Sequence, residues 1–92
     1  MSTFELDARE CTLVSLAEIA EVDAKSIRGE QLLREDLGMD SLSSLELLSK
    51  VGERLRVDLE AEDAMDIRTV DDACAFVEKS FRAQHVAASA HA

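Results

Sequence analysis

The sequence predicts an all-α domain: a small four-helix bundle, three main helices and one short one, with a long loop between helices 1 and 2. Three observations predict it. Leu, Ala, Glu and Arg dominate a chain that has no Pro, Trp or Tyr, a composition that favours helices over strands. Apolar residues recur at helical spacing in three separate stretches. The 92 residues suffice for one compact core and leave little room for a deep catalytic cleft.

The first helix is expected over residues 5–21, with Leu6, Leu13, Leu16, Ala17 and Ala20 on one face at about 100° per residue. Residues 22–40 then form the long connection, which contains Gly29 and Gly38. Val22, Ile27, Leu32, Leu33 and Leu37 are spaced to dip into the core, so this loop is anchored rather than structureless. The second helix covers residues 41–56. Ser44, Leu47, Leu48, Val51 and Leu55 fall within an arc of about 100° that faces the core. Leu42 and Leu45 lie on the neighbouring face with Ser41, Ser49, Gly52 and Arg56, and are expected to share one exposed strip. Residues 57–68 are a link with one helical turn around Ala61–Met65. Thr69 opens the last helix, and Asp72 three residues on makes a variant of the capping box. Its buried stripe is Val70, Ala73, Cys74, Val77 and Phe81. The bundle is expected to occupy residues 1–84 and a flexible Ala/His/Ser tail residues 85–92.

Charge narrows the function. A formal net charge of -10 argues against nucleic acid as a partner, because phosphate contact needs a basic patch. No run is long enough to span a membrane, and residues 1–20 lack the continuous apolar core of a secretory signal. Cys11 and Cys74 form neither a metal-ligand cluster nor a CxxC pair. They are expected to be free thiols in a reducing cytoplasm, Cys74 as a small core residue.

The distinctive stretch is "EDLGMDSLSSLELL", Glu35 to Leu48, where a glycine turn gives way to the second helix. Either Asp40 or Ser41 is expected to cap that helix. A calcium loop starting at Asp36 fails, because its third position is Gly38 and its twelfth, which needs a bidentate acid, is Leu47. A serine hydrolase fails too: its serine needs a positioned base, and the only histidines are His85 and His91 in the tail.

"LREDLGMDSLSSLELL" closely resembles the modification site of acyl carrier proteins. The resemblance spans residues 5–82. It includes the amphipathic first helix, the anchored loop, "DLG" before the site, Glu46 and Leu47 after it, and "IRTVDDACAFV" near the end. It implies that Ser41, flanked by Asp40 and Leu42, carries a 4′-phosphopantetheine arm donated by coenzyme A, on which acyl intermediates ride as thioesters. The protein would then bind, shield and present cargo without catalysing anything itself. The implied partners are a phosphopantetheinyl transferase and biosynthetic enzymes such as an acyltransferase or a ketosynthase. They would dock on Leu42, Leu45, Glu46, Glu53 and Arg56 of a cytoplasmic monomer. Asp40 is implied to help the transferase hold a metal ion, a role compatible with capping. Beginning at Met1 and ending in a tail, the chain reads as a discrete carrier.

The charge pattern departs from the family in one respect. Family partners often meet an acidic second helix, yet residues 41–56 set Glu46 and Glu53 against Lys50, Arg54 and Arg56, a net +1. Ten acids against four bases give residues 1–40 a net -6, and seven acids against Arg68 alone give residues 57–72 another -6. This pattern favours a polyketide or other specialised pathway over fatty-acid synthesis. Asp40, where peptidyl carriers more often have histidine, favours acyl over peptidyl cargo. The reading from a different class is a non-carrier helical interaction module, with Ser41 a cap or a phosphorylation site.

Overall fold

The computed structural model describes the backbone of residues 4–90 and the side-chain environments of residues 8–84. It is all-α, as the sequence predicts. Three helices, α1 (Phe4–Ala20), α2 (Ser41–Leu55) and α3 (Val70–Ala90), pack around one apolar core, with α1 in contact with both of the others.

The short helical element is not where the sequence places it. Residues 60–67 fold as successive turns closed by i→i+3 bonds (Asp63 N–H to the Glu60 carbonyl, Ala64 to Ala61, Ile67 to Ala64), not as a helix at Ala61–Met65. A 3-10 turn, Ala24–Ser26, lies instead in the first loop, where Asp23 caps it by accepting the Lys25 N–H. Three residues are too few to leave a periodic signature.

The apolar face of α1 also differs. Ala8, Thr12, Ser15, Leu16 and Ala17 are the buried residues, while Leu13 and Ala20 are half-buried and Leu6 lies outside the described side chains. Thr12 and Ser15 are wholly buried despite their hydroxyls. Each is satisfied: the Thr12 hydroxyl donates to the Ala8 carbonyl at 2.8 Å, and Ser15 Oγ accepts from Arg54 Nη1 at 2.8 Å. Because α1 is flanked by α2 and α3, a wide arc of it is covered, and half-buried Cys11 and Ile19 pack on the core as well.

α2 keeps the division of faces. Leu47 and Val51 are buried, and Ser44, Leu48 and Leu55 are half-buried. α3 buries Val70, Ala73, Cys74, Val77 and Phe81, the whole predicted stripe. Its capping box is reciprocal: Asp72 N–H donates to Thr69 Oγ1 and Thr69 N–H donates to Asp72 Oδ2, both at 3.1 Å. The sequence ends the folded helix near Gln84, whereas the backbone is helical through Ala90 and residues 91–92 lie outside the described ones.

Both α1 and α2 end on a charged residue in the left-handed region, Glu21 (φ 58°) and Arg56 (φ 54°). In each case the next N–H reaches back five residues: Val22 to the Ala17 carbonyl, Val57 to the Gly52 carbonyl. At Gly52 a Cβ would sit 3.0 Å from the Val57 carbonyl oxygen, so this glycine permits the tight chain reversal after α2.

The long loop is tied to the start of α3 by a short ladder. Leu33 N–H donates to Arg68 O, Val70 N–H to Gln31 O and Asp71 N–H to Gly29 O, at 2.9, 3.0 and 2.9 Å. Leu33 and Met39 are its buried anchors, and Ile27 and Leu37 are half-buried. Val22 and Leu32, expected to dip inward, are exposed instead, and Met39 plays the part assigned to them.

Candidate functional site

Met39 positions the site. Its N–H donates to the Leu33 carbonyl at 2.9 Å and its side chain is buried, so the chain is plugged into the core immediately before α2. Gly38 precedes it with φ +66°, a left-handed conformation natural to glycine, and nothing lies within 4 Å of where its Cβ would be. The chain therefore rises from Met39, passes Asp40 and delivers Ser41 to the surface.

Asp40, not Ser41, is the N-cap. Its backbone is extended, and Oδ1 accepts the Ser43 N–H at 2.8 Å. That bond, with a second from the Ser43 side chain, holds the Asp40 carboxyl below the usual carboxylate range. Ser41 is the first residue of α2 and is exposed. Its hydroxyl stands at the positive end of the helix dipole, a setting that stabilises an attached phosphate. Open space, an exposed hydroxyl and a favourable dipole all fit a phosphodiester-linked group.

The structure gathers the remaining predicted residues on one strip. At about 100° per residue, Ser41, Leu42, Leu45, Glu46 and Glu53 share an arc of about 140° on the outer side of α2, and Arg56 follows at its C-terminal cap. Leu42 is 65% and Leu45 50% exposed, and Glu46, Glu53 and Arg56 are exposed beside them. Arg54 is not part of that strip. It turns to α1, where Nη2 pairs with Glu18 Oε1 at 3.0 Å and Nη1 reaches Ser15. Lys50 joins the same carboxylate at 3.4 Å. The Arg54 hydrogen bond is the main reason the Glu18 pKa is lowered. Sequence reasoning missed this clamp, because Ser15, Glu18 and Arg54 are far apart in the chain.

Beneath the strip, α2, α3 and the connection between them line a small apolar cavity of about 50 Å³. Leu33, Leu47, Leu48, Ile67, Phe76 and Val77 line it, and Ser44 is the one polar side chain at its wall. The cysteines stand apart from this chemistry: Cys74 is buried, and burial pushes its thiol up to about 11. Among the described residues no cluster of His, Cys, Asp and Glu could hold a metal ion, and no helix is long and apolar enough to cross a membrane.

A family model described as the phosphopantetheine attachment site matches residues 13–77, from the middle of α1 to the middle of α3. The chain belongs to that family. Its prosthetic group is accordingly 4′-phosphopantetheine. The carrier is 33% identical over 73 residues to an acyl carrier protein of Helicobacter hepaticus, covering 79% of this chain and 96% of that one. It is 33% identical over 78 residues to an acyl carrier protein of Prochlorococcus marinus, covering 85% and 95% of the two chains. A third acyl carrier protein, from Solidesulfovibrio magneticus, is 40% identical over 58 residues, 63% of this chain and 74% of its own. The functional class expected from "EDLGMDSLSSLELL" is thus that of an acyl carrier protein.

Proposed function

We propose that Ser41 carries the phosphopantetheine, and that the protein presents acyl intermediates to the enzymes of a polyketide or other specialised pathway. The observation that carries the site assignment is the placement of an exposed Ser41 hydroxyl at the first turn of α2, capped by Asp40 and projected by Gly38. When bound, the group supplies a terminal thiol that holds the acyl chain as a thioester. The chain's own residues do the rest without catalysis. Asp40 and the α2 terminus orient the attachment point, the apolar cavity offers cargo shelter from water, and Leu42, Leu45, Glu46, Glu53 and Arg56 form the surface that enzymes dock on.

The test is intact mass after incubation with coenzyme A and a broad-specificity phosphopantetheinyl transferase. Wild type gains one arm and Ser41→Ala gains none, while keeping its helical circular dichroism because Asp40 still caps. An arm mapped to Ser43 or Ser44, or a loaded Ser41→Ala, overturns the site.

The pathway rests on the charge of α2, and one observation favours a second reading, a carrier of fatty-acid synthesis. Lys50 and Arg54 both pair with Glu18, so the outward strip sets Glu46 and Glu53 against Arg56 alone and leans acidic. Transfer rates from the loaded carrier to ketosynthases of both pathways decide between the two.

A further inference from the structure

Residues 59–67 form a strap across the mouth of the apolar cavity, and its two ends are fastened differently. On its inner side Ala64 and Ile67 line the cavity, and half-buried Leu59 packs on the core. Its outer side carries Glu60, Glu62, Asp63 and Asp66, all exposed, together with Met65, which is 81% exposed. No Lys or Arg falls within the strap, so its like charges repel one another. Among the described residues its internal hydrogen bonds are local turns only. The far end is held by backbone bonds, Leu33 N–H to Arg68 O and Val70 N–H to Gln31 O, and by the Thr69–Asp72 capping box.

The near end leaves α2 through buried Val57, whose N–H donates to the Gly52 carbonyl, and the next residue, Asp58, is held by one side chain. Gln84 extends from α3, three residues beyond Phe81, the last buried residue described in that helix. Its Oε1 accepts the Asp58 N–H at 2.8 Å, and its Nε2 donates to the Asp58 carbonyl at 2.9 Å. One amide thus satisfies both backbone groups of a residue that has no regular secondary structure. We propose that Gln84 is a latch, that the strap lifts from the cavity when this two-point clasp opens, and that the helical extension of α3 past Phe81 serves to place it. The latch lies outside the strip around Ser41 and acts on access to the cavity, not on attachment of the arm.

Amide hydrogen exchange on the full chain tests this, with Gln84→Met, which keeps length and loses both hydrogen bonds, and Gln84→Glu, which keeps the acceptor and loses the donor. In Gln84→Met, exchange at Asp58 and through residues 59–67 rises roughly tenfold, the scale set by losing two modest hydrogen bonds. Amides of α1 and α2 stay at wild-type rates. Gln84→Glu falls between the two. Uptake of a neutral apolar dye such as phenylnaphthylamine rises in Gln84→Met in parallel, while loading by the transferase is unchanged. Unaltered exchange at residues 58–67, or an equal rise throughout the chain, overturns the latch. Faster exchange without added dye uptake overturns its link to the cavity.

Discussion

Asp40 is exposed, yet its carboxylate does structural work through the Ser43 N–H it accepts. Because its folded pKa is depressed, its contribution to stability is complete above the ordinary carboxylate pKa of about 4 and is lost as pH falls through the folded value. Glu18, held down by Arg54, and Asp72, held down by the Thr69 and Arg68 N–H groups, act in the same direction. The bundle is therefore expected to lose stability on acidification below about pH 4. Asp40→Asn keeps a capping oxygen and does not titrate. Thermal melts at a series of pH values should show nearly wild-type stability at neutral pH and a shallower acid loss; an unchanged acid profile would assign the whole effect to Glu18 and Asp72. Gly38 sits two residues before Asp40 in the left-handed region, with empty space around its Cβ position. Gly38→Ala is thus expected to cost about 1 kcal/mol through backbone strain alone, with no steric clash, measurable as a lower denaturant midpoint.

At the scale of elements, the helix ends and the α1–α2 clamp set the architecture. Glu21 ends α1 with φ 58°, a conformation its Cβ disfavours. Glu21→Gly removes that strain at some cost in unfolded-chain entropy and is expected to stabilise by about 0.5–1 kcal/mol, read from the same denaturant midpoint. Arg54 joins α2 to α1 through Ser15 and Glu18. Arg54→Ala strips a donor from buried Ser15 and should cost about 1–2 kcal/mol, while Ser15→Ala placed on top should cost little more. A double-mutant cycle that gives simple additivity would show the two residues uncoupled. The clamp also marks where sequence reading stops. α2 and α3 show their faces in the sequence because each buries one narrow stripe. α1 buries a wider arc that includes Thr12 and Ser15, and those read as surface residues until Ala8 and Arg54 are seen to satisfy them. The partners of Gln84 are equally invisible, since a side chain meeting a distant backbone leaves no periodic trace.

For the molecule as a whole, the proposed attachment region is the most legible part, because its devices are local: Gly38, Asp40 and Ser41 are neighbours, and turn and cap chemistry act over a few residues. The long loop was legible as anchored, but its main anchor before the site is Met39, which carries no periodic signal. What remains to be tested is whether one helix serves two surfaces. Leu45 is half exposed on the outer strip, whereas Leu47, two residues on, is 4% exposed in the core. A charge at position 45 stays hydrated and changes stability by at most about 0.5 kcal/mol. A charge at position 47 is buried without a partner among Leu33, Val77 and their neighbours and costs several kcal/mol, a large part of what a domain this size has. Leu45→Asp should therefore keep its helical circular dichroism and melting temperature, yet slow transfer to the cognate enzyme. Leu47→Asp should lose the fold and, with it, transfer of any kind. If the two variants melted alike, α2 would not have separate core and docking faces. If Leu45→Asp folded and transferred at the wild-type rate, the fold would stand and the outer strip would have to be removed from the interface.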